Sequence, residues 1–489
     1  MSLSAALDGA IAGLSVTSAE ISVVSRNIAN QSNSAASRKI ANIVTINGLP
    51  TVASISRASN AALLTSLLSA NSDQAQQSAI SDALTQLQTT QGSASNDTNS
   101  PNALLAQLTN ALQNYAASPQ DTSSGQAAIA AAQNLATGLN NASATVQNVR
   151  EQADSDIAGS VNTINSLLTQ FAQVNQTIVL GTVNGTDVTD ALDQRDSLLQ
   201  QLSSQIGITT VTRANNDMAI FTDSGVTLFD KTARAVTFTP TTSFSATTQG
   251  NAVYADGVPI TVQGSSLSVH SGALVGYVNV RDNLAVTYQT QLDEVARGLI
   301  TDFEETDQSA TPAQPAQAGL FTDGSDLNVP TAGVADPGLA ATIQVASSAV
   351  SDPSLLRDGG ISSDGAAPYV YNPTPGDTGY STRLNQLIAN LSQPLAFDPS
   401  ADAGTQISVT DFAAASASWL GTQSNQASTA ASYSAAVQSS ASTALSNADG
   451  VNLDSELSNM LALEQSYQAS AKLLNSVNSM YTSLFAAIQ

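Results

Sequence analysis

Apolar residues recur every seven positions at the start of the chain. Leu7, Leu14, Ile21 and Ile28 form one line, and Leu3, Ala10, Thr17 and Val24 form the interleaved one. This heptad seam predicts a helix over 3–30, with Thr17 its weak point and Gly9 and Gly13 lowering its stability in isolation. The far end of the chain has a matching pattern. Met460, Leu463, Tyr467, Ser470, Leu474, Val477, Tyr481, Leu484 and Ile488 alternate in steps of three and four. Asn452 or Asp454 is placed to cap that helix, and Asp454 and Glu456 fall in its first turn, where negative charge is favoured.

Between these ends the period changes several times. Residues 31–58 lose it, and Gly48-Leu49-Pro50 predicts an extended, loop-like stretch. Helical periodicity returns over 60–90, and a polar break from Gly92 to Pro101 follows. Two shorter helices are predicted at 102–117 and 123–141. A long one follows at 144–180, with Val146, Ala153, Ser160, Leu167 and Val174 on one line and Ile157, Ile164, Phe171 and Ile178 on the next; Gly181 and Gly185 end it. Another helix is predicted at 188–206.

Residues 208–280 are rich in Thr, Val and aromatics with turn signals such as Asp256-Gly257, which predicts short strands and hairpins. Leu284, Tyr288, Leu292, Val295, Leu299 and Phe303 stripe a helix over 281–305, with Asp293 and Arg297 as a surface i,i+4 pair. Residues 306–408, rich in Pro, Gly, Asp and Ser, read as an exposed insertion of loops and a few strands. Residues 412–448 contain no charge and are rich in Ala, which favours helix.

The resulting fold class is mainly α with β-rich inserted domains: an elongated rod of paired N- and C-terminal helices with discontinuous domains. The expected division is a terminal coiled-coil-like assembly domain (1–59 and 449–489), a helical rod domain (60–207, 281–305 and 409–448), a β-rich domain (208–280) and the insertion (306–408).

Charge sharpens this picture. The chain carries 14 basic and 38 acidic residues, a net of −24. Residues 1–60 hold Arg26, Arg38, Lys39 and Arg57 against Asp8 and Glu20, and residues 453–489 hold Lys472 against Asp454, Glu456 and Glu464. Nearly neutral ends therefore flank an acidic middle, so the ends suit association and the middle suits solvation. Nucleic acid and anionic membrane surfaces are improbable partners, because both need a basic stripe. No membrane insertion is expected, and Arg26 is the first basic residue, too late for a cleaved signal peptide.

With no Cys and one His, His270, thiolate chemistry is excluded and the commonest general base is nearly absent. No catalytic residue, cofactor or metal is expected. Asp193 and Asp196, one helical turn apart, lack the partner and pocket that acid/base work needs. Arg195 between them is expected to tie its helix to a neighbour through Asp or backbone acceptors. His270 reads as a surface residue, and Asp323-Gly324-Ser325-Asp326 lacks the full ligand set of a calcium loop.

Several segments resemble the flagellar hook-associated protein 1 family. The first helix ends in Ser-Arg-Asn-Ile-Ala-Asn (25–30), a signature shared among flagellar axial proteins. Residues 117–136 resemble the family's stretch after its second helical segment, and 164–178 resemble its long helix. Leu-Asp-Gln-Arg-Asp (192–196) is the most specific match, and 280–299 and 450–477 follow later in the family's order. Two stretches depart from the family: Gln31 to Ala35 replaces a Thr-Pro-Gly-Tyr type turn, and 306–408 shows little of its pattern.

The resemblance implies a non-catalytic structural protein of the hook–filament junction. It implies an extracellular location reached through the flagellar type III apparatus, a homo-oligomeric ring, hook protein below, the second junction protein above, and an export chaperone. It also implies terminal segments that are disordered in the monomer and fold on assembly. The alternatives are a flagellin-like subunit or the next junction protein, or an axial scaffold carrying an enzyme or adhesin at 306–408.

The expected assembly interface is Leu7, Leu14, Ile21, Val24, Asn27, Ile28 and Asn30 on the first helix. On the last helix it is Met460, Leu463, Tyr467, Leu474, Val477, Tyr481, Leu484 and Ile488. Asp193, Gln194, Arg195 and Asp196 are the structural signature.

Overall fold

The computed structural model describes residues 3–92, 99–324, 326–374 and 376–488, without the side chain of Ile488. Most of the break predicted from Gly92 to Pro101 lies outside the described residues. The chain opens with helix α1 (Leu3–Ala29), followed by an antiparallel hairpin of β1 (Lys39–Ile46) and β2 (Leu49–Arg57). The stretch read as a loop is thus a two-stranded sheet. Asn47 and Gly48 both take positive φ at its turn, the conformation that a two-residue hairpin connection needs.

Helices α2 (Ala61–Gln88) and α3 (Pro101–Ala117) start on side-chain caps. Asn60 accepts from Leu63 N, and Ser100 accepts from Ala103 N ahead of Pro101. Helix α4 (Thr122–Asn184) is one continuous helix of 63 residues, not the two predicted. Its buried line runs without interruption through Ala132, Leu135, Leu139, Ala142, Val146 and Val149, so tertiary packing keeps it helical across Gly138. Gly185 at φ 71° terminates it. At about 1.5 Å per residue, α4 spans roughly 95 Å, which makes the molecule elongated.

Helix α5 (Thr189–Gln205) leads into an antiparallel sheet of β3 (Ile208–Thr212), β4 (Met218–Thr222), β5 (Thr227–Asp230) and β6 (Thr232–Ala233). Helix α6 (Ala273–Asn279) passes through a π turn at Val280–Leu284 into α7 (Ala285–Asp302). The next hundred residues hold the short helices α8 (Leu339–Thr342), α9 (Ser347–Ser351), α10 (Leu355–Asp358) and α11 (Thr382–Asn390) among loops. Helices α12 (Val409–Asp449) and α13 (Leu453–Ile488) complete the chain. Helix α12 returns antiparallel along α2, with Gln438 donating to Asn71 and Asp449 accepting from Asn60 N.

Two apolar clusters form the interior. One joins the start of α4, to Ala153, with α3, α7 and the head of α12. The other joins α4 from Ile157 to Ile178 with α5 and the sheet, where Phe171 meets Phe229 edge-on at 5.0 Å. The segment 306–408 is not the exposed insertion predicted. Leu320, Phe321, Leu339, Ile343, Leu384, Leu387 and Phe397 all lie in the first cluster. Asp293 and Arg297 are also not a surface pair. Both are buried: Asp293 accepts from Gly338 N and Ala340 N, and Arg297 binds Glu294. The Asp293 contacts, with Arg297 donating to Ala396 O, fasten the irregular segment to α7.

Asp302, the last residue of α7, is 3% exposed, and its Oδ2 has no partner. Burial and then neighbouring Glu304 push its carboxyl up to about 8, against the opposing pull of Arg297. The folded chain therefore keeps a proton that an unfolded Asp, with a pKa of about 3.9, has lost. Its contribution to stability falls as pH rises between those two values. Asp302→Asn should consequently be more stable than the parent chain at pH 8, by on the order of 3 kcal/mol. The gap should close towards pH 4. Urea unfolding at both pH values reads this, and a gap independent of pH would refute it.

Candidate assembly site

Helices α1 and α13 pair antiparallel, as fixed by two contacts. A Cβ on Gly13 would meet Ser470 Oγ at 3.5 Å, and Asn27 Nδ2 donates to Glu456 Oε2 at 3.1 Å. On α1, Val24 and Asn27 are buried, as are Ala10, Val16, Thr17 and Val23; Leu7, Leu14, Ile21, Ile28 and Asn30 are half-buried. The deepest line is therefore Ala10, Thr17 and Val24 rather than Leu7, Leu14, Ile21 and Ile28. Thr17 satisfies its hydroxyl by donating to Gly13 O at 2.9 Å.

On α13, Val477 is buried, and Met460, Leu463, Leu474 and Tyr481 are half-buried. Tyr467 and Leu484 stand exposed, as do Leu457, Leu461, Leu473, Met480 and Phe485, which the seam does not include. Ile488 lies outside the described side chains. The seam gapes at a shallow cleft of about 340 Å³ lined by Ser18, Ile21, Glu464, Tyr467 and Gln468. By length and composition alone, helix α1 is long and apolar enough to cross a membrane.

Below the seam, the chain crossing is held by charge. Asn27 donates to Lys39 O and accepts from Lys39 N, so the end of α1 grips the root of β1. Arg38 Nε meets Glu456 Oε1 at 2.6 Å, and Arg38 N donates to Asp449 O. Arg26 reaches Asp187 at 3.0 Å and Asp190 at 3.4 Å. Lys39 Nζ binds Asp193, which also accepts from Ser37 N and Oγ. Arg57 forks between Asp193 at 2.8 Å and Asp196 at 2.6 Å. All four basic residues of positions 1–60 are thus consumed within the chain, most of them on α5.

Burial opposes the charge on Asp193, but donation from Lys39, Ser37 and Arg57 together holds its carboxyl below the usual range. Burial prevails at Asp196, whose carboxyl is raised despite Arg57. Arg195 points the other way, donating to Asn216 O and Asn175 Oδ1, while Gln194 faces solvent. The signature Asp193–Asp196 thereby joins the terminal region to the rod body on one face and to the sheet on the other.

Both carboxylates are occupied by cations, an arrangement built for anchoring. Among the described residues, no group of three or more His, Asp or Glu could hold a metal ion. His270 is exposed, with Nδ1 3.6 Å from Asp223. Asp326 accepts from Asn328, and Ser325 lies outside the described residues.

Residues 64–320, more than half the chain, match the flagellar hook-associated protein FlgK helical domain. Residues 445–486, which contain nearly all of α13, match the flagellar basal body rod FlgEFG protein C-terminal domain. No curated protein matches the chain. A solved structure, the flagellar hook junction protein FlgK from Burkholderia pseudomallei, is 24% identical with a TM-score of 0.42, over 53% of this chain and 47% of that one. The chain therefore spans about half the length of that relative. The helical-domain match, continuous from α2 through the sheet to α7, identifies the chain as a member of the FlgK family of flagellar hook-associated proteins.

Proposed function

We propose that the chain is a non-catalytic structural subunit of the hook–filament junction, assembled through α1 and α13. The observation that carries this reading is the helical-domain match over 64–320, joined to a C-terminal helix of the axial rod type. The division into a terminal assembly domain (1–59 and 449–489), a helical rod and a β-rich domain agrees with where the ionic anchor sits. A homo-oligomeric ring, hook protein on one side, the second junction protein on the other, an export chaperone and export through the flagellar apparatus complete the proposal.

The exposed apolar residues of α13 support it, because a helix that leaves Leu461, Leu473, Met480 and Phe485 uncovered has further surface to bury. Electron microscopy of a strain lacking the gene tests it. Hooks should be present without filaments, and flagellin should leak into the medium. Filaments of normal number and length would overturn the proposal.

A further inference from the structure

Asn-Gly occurs twice in the chain, at Asn47-Gly48 and Asn184-Gly185. The dipeptide carries a chemistry of its own. A glycine nitrogen, with no Cβ beside it to block the approach, can attack the preceding asparagine carboxamide. Both pairs are exposed, and both follow a β-branched residue, Ile46 or Val183. Local sequence and access to water therefore favour them equally, and only the fold separates them.

Asn184 is the last residue of α4, and Gly185 N is engaged. It donates to Gly181 O and Thr182 O, and Thr186 N also closes onto Gly181 O. Attack there would undo the C-terminal cap of the helix. Gly48 instead lies in the two-residue connection between the paired residues Ile46 and Leu49. Among the described residues, no carbonyl accepts from Gly48 N, and a Cβ built on Gly48 would meet nothing within 4 Å. Asn47 and Gly48 hold φ of 53° and 83° at this tip, a conformation that selects glycine and needs no helix to unwind before the ring can close.

We propose that Asn47 is a self-modifying site, which cyclises onto Gly48 N and ages to isoaspartate. The Gly48 nitrogen gives its proton to a base in solvent and bonds to Asn47 Cγ. The bond from Cγ to the carboxamide nitrogen breaks, and ammonia leaves. Water then opens the cyclic imide at either carbonyl. One opening gives aspartate, and the other routes the backbone through the side chain as isoaspartate. The net reaction consumes water and releases ammonia, with no change of oxidation state.

The product alters the hairpin in two ways. Residues 40–56 carry no charge, so either opening places the first carboxylate between Lys39 and Arg57. Isoaspartate also adds a backbone atom to a turn whose length fixes the register of Ile46 with Leu49. The modification thus marks the age of the chain and loosens the hairpin from its tip.

The folded full-length chain is held at mildly alkaline pH, then unfolded, digested with trypsin and read by mass spectrometry. Asn47, in peptide 40–57, should convert at least tenfold faster than Asn184, in peptide 151–195. An isoaspartyl methyltransferase should label position 47. When the chain is held in urea instead, the two rates should converge. Asn47→Gln, which would need a larger ring, should give no label at that position. Equal rates in the folded chain, a rate ratio that survives urea, or aspartate at position 47 without isoaspartate would each overturn the inference.

Discussion

Asp193→Ala should destabilise the chain by on the order of 3–5 kcal/mol, the cost of breaking a buried ion pair from one side. Asp193 accepts from Ser37, Lys39 and Arg57 together, and Lys39 is only 3% exposed. Without the carboxylate, Lys39 loses its buried counter-charge, Ser37 loses its acceptor and Arg57 keeps only Asp196, in a site water hardly enters. Urea unfolding of the purified chain measures the loss. Trypsin gives a second readout, since Arg38, Lys39 and Arg57 should become cleavable once the root of the hairpin loosens.

Asp190→Ala is the matched control. That side chain is 69% exposed, and exposed pairs contribute at most about 1 kcal/mol. The pH dependence has a definite sign. The Asp193 carboxyl is depressed in the folded chain, so its contribution is complete above the unfolded value of about 3.9 and is lost as pH falls through the lower folded value. A loss below 1 kcal/mol at pH 7 would mean that the cluster is ornamental.

Leu474→Asp should abolish assembly while sparing the rod body. The antiparallel register set by Gly13 with Ser470 and Asn27 with Glu456 brings Leu474 level with the glycine-containing first turns of α1. It is half-buried there, between Ser470 and buried Val477. A carboxylate in that position finds no basic partner, because every cation of the N-terminal segment is engaged at the anchor. Placing an unpaired charge in an apolar contact costs on the order of a few kcal/mol or more, and a ring would repeat that cost in every subunit.

The expected phenotype is an exported, soluble protein, hooks that carry no filament, and flagellin in the medium. Lys472→Ala, exposed on the same helix, should be nearly silent. Normal swimming with Leu474→Asp would show that this face plays no part in assembly.

The long helices were legible in the sequence because their apolar positions repeat over many turns. Helix α12 was legible because an Ala-rich run with few Gly residues has one obvious conformation. The join within α4 was not legible: Gly138 and a polar stretch near Asn140 and Asn141 resemble a boundary, and only packing against α3 and α7 shows that they are none. The role of 306–408 was hidden for a different reason. Its strands and helices are too short to show a period, so Leu320, Phe321 and Phe397 could not be assigned to a core by spacing.

Arg297 misled by offering Asp293 at i−4, when Glu294 at i−3 was its partner. At the candidate site, the apolar seam was visible as a pattern, but its depth was not. Alanine and threonine lie deepest where leucine and isoleucine seemed the natural choice. The ionic anchor left a trace in the basic surplus of residues 1–60. Its pairing, across most of the chain, is beyond any local reading.

One consequence follows from the single helix α4. Its first half is a wall of one apolar cluster and its second half a wall of the other, with Ala153 and Ile157 the last and first contributors. Neither cluster can melt without unwinding the shared helix, so the two, which meet end to end along it, behave as one cooperative unit. A load applied at the sheet end reaches α7 and α12 through a continuous ladder of backbone hydrogen bonds, with no hinge to absorb it.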